Sequence, residues 1–116
     1  MGKRMLLDCT LRDGGYLNDW EFGLDTITSI FERLVSSRVD FIEVGFLDER
    51  RIFDYNRSIM PNTISVENIY RKVDKGDAII VGMIDYGTCS VGNIQSCIES
   101  YFDGIRVIFK KASCIL

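Results

Sequence analysis

A short run of charged residues near the amino terminus has the types and spacing that chemistry requires. Residues 8–16 read Asp-Cys-Thr-Leu-Arg-Asp-Gly-Gly-Tyr. The carboxylate of Asp13 suits a hard divalent cation, which prefers oxygen ligands. The planar guanidinium of Arg12 can stabilise an oxyanion or enolate as its charge develops. The same residues also fit a turn held by an Arg12–Asp13 ion pair, and composition alone does not choose between the two interpretations.

The composition of the chain excludes several kinds of catalytic site and partner. The chain has no histidine, so its own residues form no Ser-His-Asp triad and no imidazole metal site. Its four cysteines form no C-x-x-C pair, and we expect reduced thiols in a cytoplasmic protein. The 116 residues carry a net charge of −3 without a Lys/Arg run, and no apolar run approaches the roughly 18 residues of a membrane span. We therefore expect neither a nucleic-acid nor a membrane partner.

Short apolar runs alternate with amphipathic stretches along the chain, and this pattern predicts four strands and three helices. The predicted strands span residues 5–9, 41–46, 78–84 and 105–109. The predicted helices span residues 27–35, capped by Asp25 or Thr26; 66–73, capped by Ser65 and stopped by Gly76; and 91–101, opened by Ser90.

The order β-α-β-α-β-α-β, with strands that are almost wholly apolar, favours an α/β fold with a parallel sheet covered by helices. Four parallel βα units suggest about half of a TIM (β/α)₈ barrel, and a small open doubly wound sheet is the alternative. No covering helix or stop signal follows the fourth strand, so we expect residues 1–116 to form a single amino-terminal half-barrel unit that is truncated. The long charged loop 47–63 is either functional or simply solvated.

Two segments carry a resemblance to a known family. Residues 6–16 resemble the first-strand motif of the DRE-TIM metallolyases, which include 4-hydroxy-2-oxovalerate aldolase, hydroxymethylglutaryl-CoA lyase and the isopropylmalate and homocitrate synthases. Residues 40–46, Asp-Phe-Ile-Glu-Val-Gly-Phe, resemble the second strand of that family. The resemblance implies a TIM barrel that binds Mg²⁺ or Mn²⁺ and makes or breaks a C–C bond through an enolate. A small-molecule 2-oxo acid is then the expected substrate of an aldolase or lyase.

Carried over by position, the resemblance implies three roles. Asp13 would ligate the metal, Arg12 would stabilise the enolate oxygen, and Glu43 would hold Arg12 in place. The strand pattern supports a partner for Glu43 independently, because it puts a charge on an otherwise apolar strand face. A structural ion pair with a cation on a neighbouring strand, such as Arg106, is the alternative explanation of Glu43.

The sequence departs from the family at two points. Tyr16 stands where the lyases often place a histidine as the proton-transfer base, and a tyrosine with an ordinary pKa near 10 is a poor base at neutral pH. The His-x-His pair that completes the family's metal site is absent. We therefore expect this chain to bind no metal tightly and to be inactive alone. The alternative is a non-catalytic half-barrel that forms a homo-oligomer or pairs with a complementing half.

The remaining candidates are weaker. Asp85 and Tyr86 follow the third strand and could touch a substrate, although a plain turn explains them better. Lys110 and Lys111 could attract an anionic substrate, or they are simply solvated. The position of Cys97 on a predicted apolar stripe favours core packing.

Overall fold

The computed structural model of this chain describes residues 4–109. Within these residues the chain forms five strands, four α-helices and one 3-10 helix. The strands are β1 (Leu7–Asp8), β2 (Phe41–Leu47), β3 (Ile59–Met60), β4 (Ile79–Asp85) and β5 (Gly104–Ile108). The helices are α1 (Thr10–Asp13), α2 (Gly15–Asn18), α3 (Leu24–Ser36), α4 (Thr63–Tyr70) and the 3-10 helix η1 (Val91–Asn93).

All five strands are parallel and belong to one sheet; four of them follow the order β1-β2-β4-β5, and β3 lies off this path. The short strand β3 pairs with the carboxyl end of β2, beyond the point where β1 pairs with its amino end. The predicted α/β class, with a parallel sheet of βα units, is therefore confirmed. No helix among residues 4–109 is long and apolar enough to cross a membrane.

The register of the sheet decides which side chains share a face. Glu43 of β2 pairs with Val81 of β4, and Met83 of β4 pairs with Arg106 of β5. Because alternate residues of a strand point to opposite faces, these four side chains all belong to one face of the sheet. The register between β2 and β4 shifts after Glu43, and Phe46 then pairs with Met83.

The helices α3 and α4 cover the opposite face. Helix α3 buries Ile27 and Phe31 against the sheet, as its predicted apolar stripe requires. Helix α4 buries Tyr70, whose hydroxyl donates a 2.9 Å hydrogen bond to the carbonyl of Val44 in β2. The main core therefore lies between these two helices and one face of the sheet, whereas the face that carries Glu43 is covered by neither α3 nor α4.

The predicted helix caps are wrong. Helix α3 begins at Leu24, before Asp25 and Thr26, and its first backbone N–H donates to the Asn56 side chain, 32 residues away in sequence. Helix α4 is capped by Asn62 rather than Ser65, because the Asn62 side chain accepts the Ser65 N–H at 2.9 Å. The same helix ends at Tyr70, well before the predicted stop at Gly76.

The predicted third helix, residues 91–101, is also wrong, since only the single 3-10 turn η1 forms there. The side chains of Ser90 and Asn93 donate to Glu49 at 2.9 and 2.6 Å, and these bonds from another loop replace the helical alternative. Ile98 is 98% exposed, so the presumed apolar stripe is not buried. Cys97, predicted to pack in the core, is exposed as well.

The sequence pattern also missed elements inside predicted loops. Helices α1 and α2 occupy the stretch after β1, and β3 lies within the loop 47–63. The strand predicted at residues 5–9 is formed only at Leu7–Asp8. Lys110, Lys111 and Cys114 lie outside the described residues.

Candidate functional site

The chain turns into helix α1 at the carboxyl end of β1, and this turn positions Arg12. The Asp8 carboxylate accepts the backbone N–H and the hydroxyl of Thr10 at 2.9 and 3.0 Å. The carbonyl of Cys9 accepts the N–H groups of Arg12 and Asp13, which closes the first turn. In parallel α/β folds, functional groups collect at this edge of the sheet.

Glu43 is fully buried and accepts hydrogen bonds from two arginines at once. The Arg12 Nε donates to Glu43 Oε1 at 2.5 Å. The Arg106 Nε donates to Glu43 Oε2 at 2.8 Å, and its Nη2 donates to Glu43 Oε1 at 3.0 Å. The two partners that the sequence offered as alternatives therefore both bind Glu43.

These hydrogen bonds keep Glu43 ionised. Burial alone would raise the pKa of the Glu43 carboxyl, but the hydrogen bonds from Arg106 and Arg12 outweigh it and hold that pKa below its ordinary value. A buried charge is tolerated only when it is paired in this way. The sheet thus places a carboxylate that is ionised at neutral pH between two guanidinium groups.

Asp13 lies at the surface beside the cluster formed by Arg12, Glu43 and Arg106. Its Oδ1 accepts a 2.9 Å hydrogen bond from the Arg12 Nη1, while 64% of its side chain remains exposed. Within residues 4–109, no hydrogen bond involves Asp13 Oδ2, Arg12 Nη2 or Arg106 Nη1. These three groups are the ones that a ligand on this face could use.

The donor atoms at this place fit the metal suggested by the resemblance only in part. Asp13 offers one hard oxygen, the ligand type that Mg²⁺ and Mn²⁺ prefer. In the part of the chain that the structure describes, no group of three or more His, Cys, Asp or Glu side chains could hold a metal ion. These residues therefore fit one corner of a divalent-metal site and do not form a complete one.

Tyr16 is not bonded to the arginine–glutamate cluster but reaches it through Trp20. The Tyr16 ring meets the Trp20 ring edge-on, with centroids 4.9 Å apart. The Trp20 Nε1 donates to the backbone carbonyl of Arg12 at 2.8 Å. A Cβ atom at Gly15 would lie 1.8 Å from the Trp20 ring, so this position requires glycine.

An ion-pair network fastens the loop after β2 over Trp20. Arg51 donates to the Asp19 carboxylate at 2.7 Å and stacks its guanidinium 5.7 Å from the centre of the Trp20 ring. Arg57 donates to the same Asp19 carboxylate at 2.8 Å. The hydrogen bond from Arg51 holds the pKa of Asp19 below its ordinary value. The long charged loop therefore has a structural role beside the candidate site.

A cavity of about 430 Å³ opens beside these aromatic rings. Tyr16, Trp20 and Phe46 line it, together with Arg51 from the loop and Asp85 from the end of β4. Asp85 thus faces the cavity, as the sequence allowed, while the neighbouring Tyr86 is largely exposed. The volume of this cavity is in the range of small-molecule pockets, which are usually lined by apolar and aromatic side chains with a few polar groups.

Protein-family models, curated proteins and solved structures were all compared with the chain, and none of them matches. The chemical argument therefore depends on the geometry of the site.

Sequence reasoning found Arg12, Asp13 and Glu43, and the structure brings these three together through direct hydrogen bonds. It missed Trp20 and Arg51 as cavity residues. The tryptophan closes the run that begins at Asp8, so its type and position were a usable signal. The role of Arg51 depends on a contact across 32 residues, which no local pattern reveals.

Proposed function

We propose that this chain is the amino-terminal half of a TIM-type barrel that stabilises the enolate of a 2-oxo acid during metal-dependent C–C bond cleavage or formation. The observation that carries the proposal is the fixed guanidinium of Arg12, held by the buried Glu43 next to the exposed Asp13. A planar cation that is immobilised in this way needs no reorganisation when negative charge develops beside it.

The one nitrogen of the Arg12 guanidinium that no residue among 4–109 uses supports this role. Glu43 takes the Nε of Arg12 and Asp13 takes its Nη1, which leaves Nη2 as the group for a substrate oxygen. Only 11% of the Arg12 side chain is exposed, so such a contact would be formed in a poorly hydrated place, where electrostatic stabilisation is stronger than in water.

Asp13 would be one ligand of the divalent metal, with the other ligands supplied from outside the described residues. Bound there, Mg²⁺ or Mn²⁺ would polarise the carbonyl oxygen of the substrate as a Lewis acid. The free thiols of Cys9, Cys89 and Cys97 support a cytoplasmic location for this chemistry.

Tyr16 remains the candidate for proton transfer. It occupies the position of the base in the family that the sequence resembles, and it lines the 430 Å³ cavity beside Trp20. Arg12 and Asp13 do not line this cavity, so the Tyr16 hydroxyl would exchange a proton with a part of the substrate that extends from Arg12 towards the cavity.

The test uses a completed barrel, in which the chain is joined to a second half that carries a His-x-His pair. With Mg²⁺ present, NMR follows the exchange of pyruvate methyl protons for solvent deuterium, which reports enolate formation. We expect Arg12→Ala to slow this exchange by about 10²–10³-fold, the usual effect of losing one such donor. Arg71→Ala is the matched control, because Arg71 is an exposed arginine in the turn after α4. Exchange within about threefold of the unmodified barrel would contradict the proposal.

One observation favours the non-catalytic alternative, a half-barrel that self-associates. Leu7, Phe41 and Val81, on the face that neither α3 nor α4 covers, line a second cavity of about 450 Å³ together with Ile105. Exposed apolar surface of this kind is typical of association sites. Sedimentation equilibrium tests whether the chain self-associates. A dimer would support the alternative, and a monomer at high micromolar concentration would contradict it.

A further inference from the structure

Arg106 is held as rigidly as Arg12 and by the same carboxylate. Its Nε and Nη2 form a fork onto the two oxygens of Glu43, and its Nη2 also lies 3.4 Å from the sulfur of Met83. A fork of this kind fixes the plane of the guanidinium as well as its position. The hydrogen bonds to Glu43 raise the pKa of Arg106 above its ordinary value, with a smaller contribution from the Asp13 carboxylate nearby.

The charges of the cluster balance, but its hydrogen bonds are shared unevenly. Arg12 binds both carboxylates, Glu43 and Asp13, whereas Arg106 binds Glu43 alone. Arg106 is 41% exposed on the face of the sheet that neither α3 nor α4 covers, and its Nη1 has no hydrogen-bond partner within residues 4–109. A donor that is fixed, charged and accessible is suited to an anion.

Resting on the function proposed above, we infer that Arg106 binds the carboxylate of the 2-oxo acid while Arg12 meets the adjacent enolate oxygen. The two arginines share one oxygen of Glu43, so their guanidinium groups lie side by side. A 2-oxo acid presents its carboxylate and its ketone oxygen on neighbouring carbons, so a single molecule can accept from two neighbouring guanidinium groups. Arg106 is thus a substrate-binding residue, and Glu43 is the positioning residue for both arginines.

The experiment uses the 116-residue chain and two probes. Oxalate, a planar dianion, mimics the carboxylate and the enolate oxygen together, whereas acetate mimics the carboxylate alone. Titrations are followed by NMR of the ¹⁵N-labelled arginine side chains at low salt, because such contacts are screened by ions. We expect both probes to shift the Arg106 Nε–H signal, and Arg106→Gln to weaken binding of both by at least about tenfold.

Controls separate a specific contact from lost charge or lost structure. Arg71→Gln removes the same charge from an exposed site and leaves binding unchanged. Arg106→Lys keeps a cation opposite Glu43, so it decides the question if Arg106→Gln does not fold, and we expect it to restore little because a point charge cannot form the fork.

The outcomes distinguish this inference from the proposal on which it rests. If folded Arg106→Gln binds both probes within twofold of the unmodified chain, or if neither probe shifts the Arg106 signal, Arg106 is only a partner of Glu43 and the inference is overturned. In that case a loss of oxalate binding in Arg12→Gln would leave the enolate proposal standing. The converse result is also possible: Arg106→Gln abolishes probe binding, but Arg12→Ala leaves the deuterium exchange of the completed barrel unchanged. This result would support the anion site at Arg106 and contradict the enolate chemistry at Arg12.

Discussion

Replacing Glu43 by glutamine tests the cluster at its centre. The substitution keeps the size of the side chain and one acceptor oxygen, but it removes the charge that compensates Arg12 and Arg106. Removing one partner of a fully buried ion pair costs about 3–5 kcal/mol. Arg106 is 41% exposed and water can solvate it, and Arg12 keeps its 2.9 Å hydrogen bond to Asp13, so the loss is smaller than for a fully buried pair. We therefore expect Glu43→Gln to lower the free energy of unfolding by about 2–4 kcal/mol.

Urea unfolding monitored by circular dichroism measures this difference. Glu32→Gln is the matched control, because it makes the same chemical change at an exposed position of helix α3 and should alter the free energy of unfolding by less than about 0.5 kcal/mol. The slope of the transition must stay the same in both variants, since a changed slope would indicate a different unfolded or folded state.

The stability difference between the unmodified chain and Glu43→Gln should depend on pH in a definite direction. The pKa of Glu43 is lower in the folded chain than its ordinary value of 4.5, so its stabilising contribution is complete above about pH 4.5 and is lost as the pH falls through the folded-state pKa. The difference between the unmodified chain and Glu43→Gln should therefore be constant near neutral pH and shrink in acid. A difference below 1 kcal/mol at pH 7, or one that grows on acidification, would refute the assignment of Glu43 as a paired, ionised carboxylate.

Three further predictions concern the neighbouring residues. Gly15→Ala should destabilise the chain by about 2 kcal/mol and shift the fluorescence of Trp20, the only tryptophan, because the added methyl group collides with its ring; Gly92→Ala, at an open position, should do neither. Calorimetry should show Mg²⁺ or Mn²⁺ binding this chain no better than a generic acidic surface, and a tight single site that disappears in Asp13→Asn would contradict this expectation. In the completed barrel, Arg12→Ala should lower kcat far more than it raises KM, and Arg12→Lys should restore little, which steady-state kinetics measures.

The sequence predicted the parts of the fold that burial alone determines. Strand β2 (Phe41–Leu47) and strand β4 (Ile79–Asp85) are apolar over most of their length, and helix α3 has a regular apolar stripe, so local patterns were sufficient. The failures share a different cause. The Glu49 carboxylate accepts from Ser90 and Asn93 across more than 40 residues, at the point where the predicted third helix would begin, and no window of local sequence contains that information.

The sequence likewise predicted only part of the candidate site. The charge of Glu43 on an apolar strand required a partner, and the sequence named two candidates without choosing between them. The structure shows why no choice was needed, because the two oxygens of a carboxylate can accept from Arg12 and Arg106 together. Trp20 was missed because its contact with Gly15 depends on the helical turn between them.

The double pairing also explains how Arg12 could be used for chemistry without endangering the fold. If Arg12 were the only partner of Glu43, any displacement of its guanidinium toward a substrate would leave a buried charge uncompensated, at a cost of several kcal/mol. Arg106 binds both oxygens of Glu43, so the carboxylate stays paired whatever Arg12 does. Removal of Arg12 should therefore cost far less stability than removal of Glu43. Activity lost in an Arg12 variant can then be assigned to chemistry, whereas activity lost in a Glu43 variant must first be corrected for the unfolded fraction.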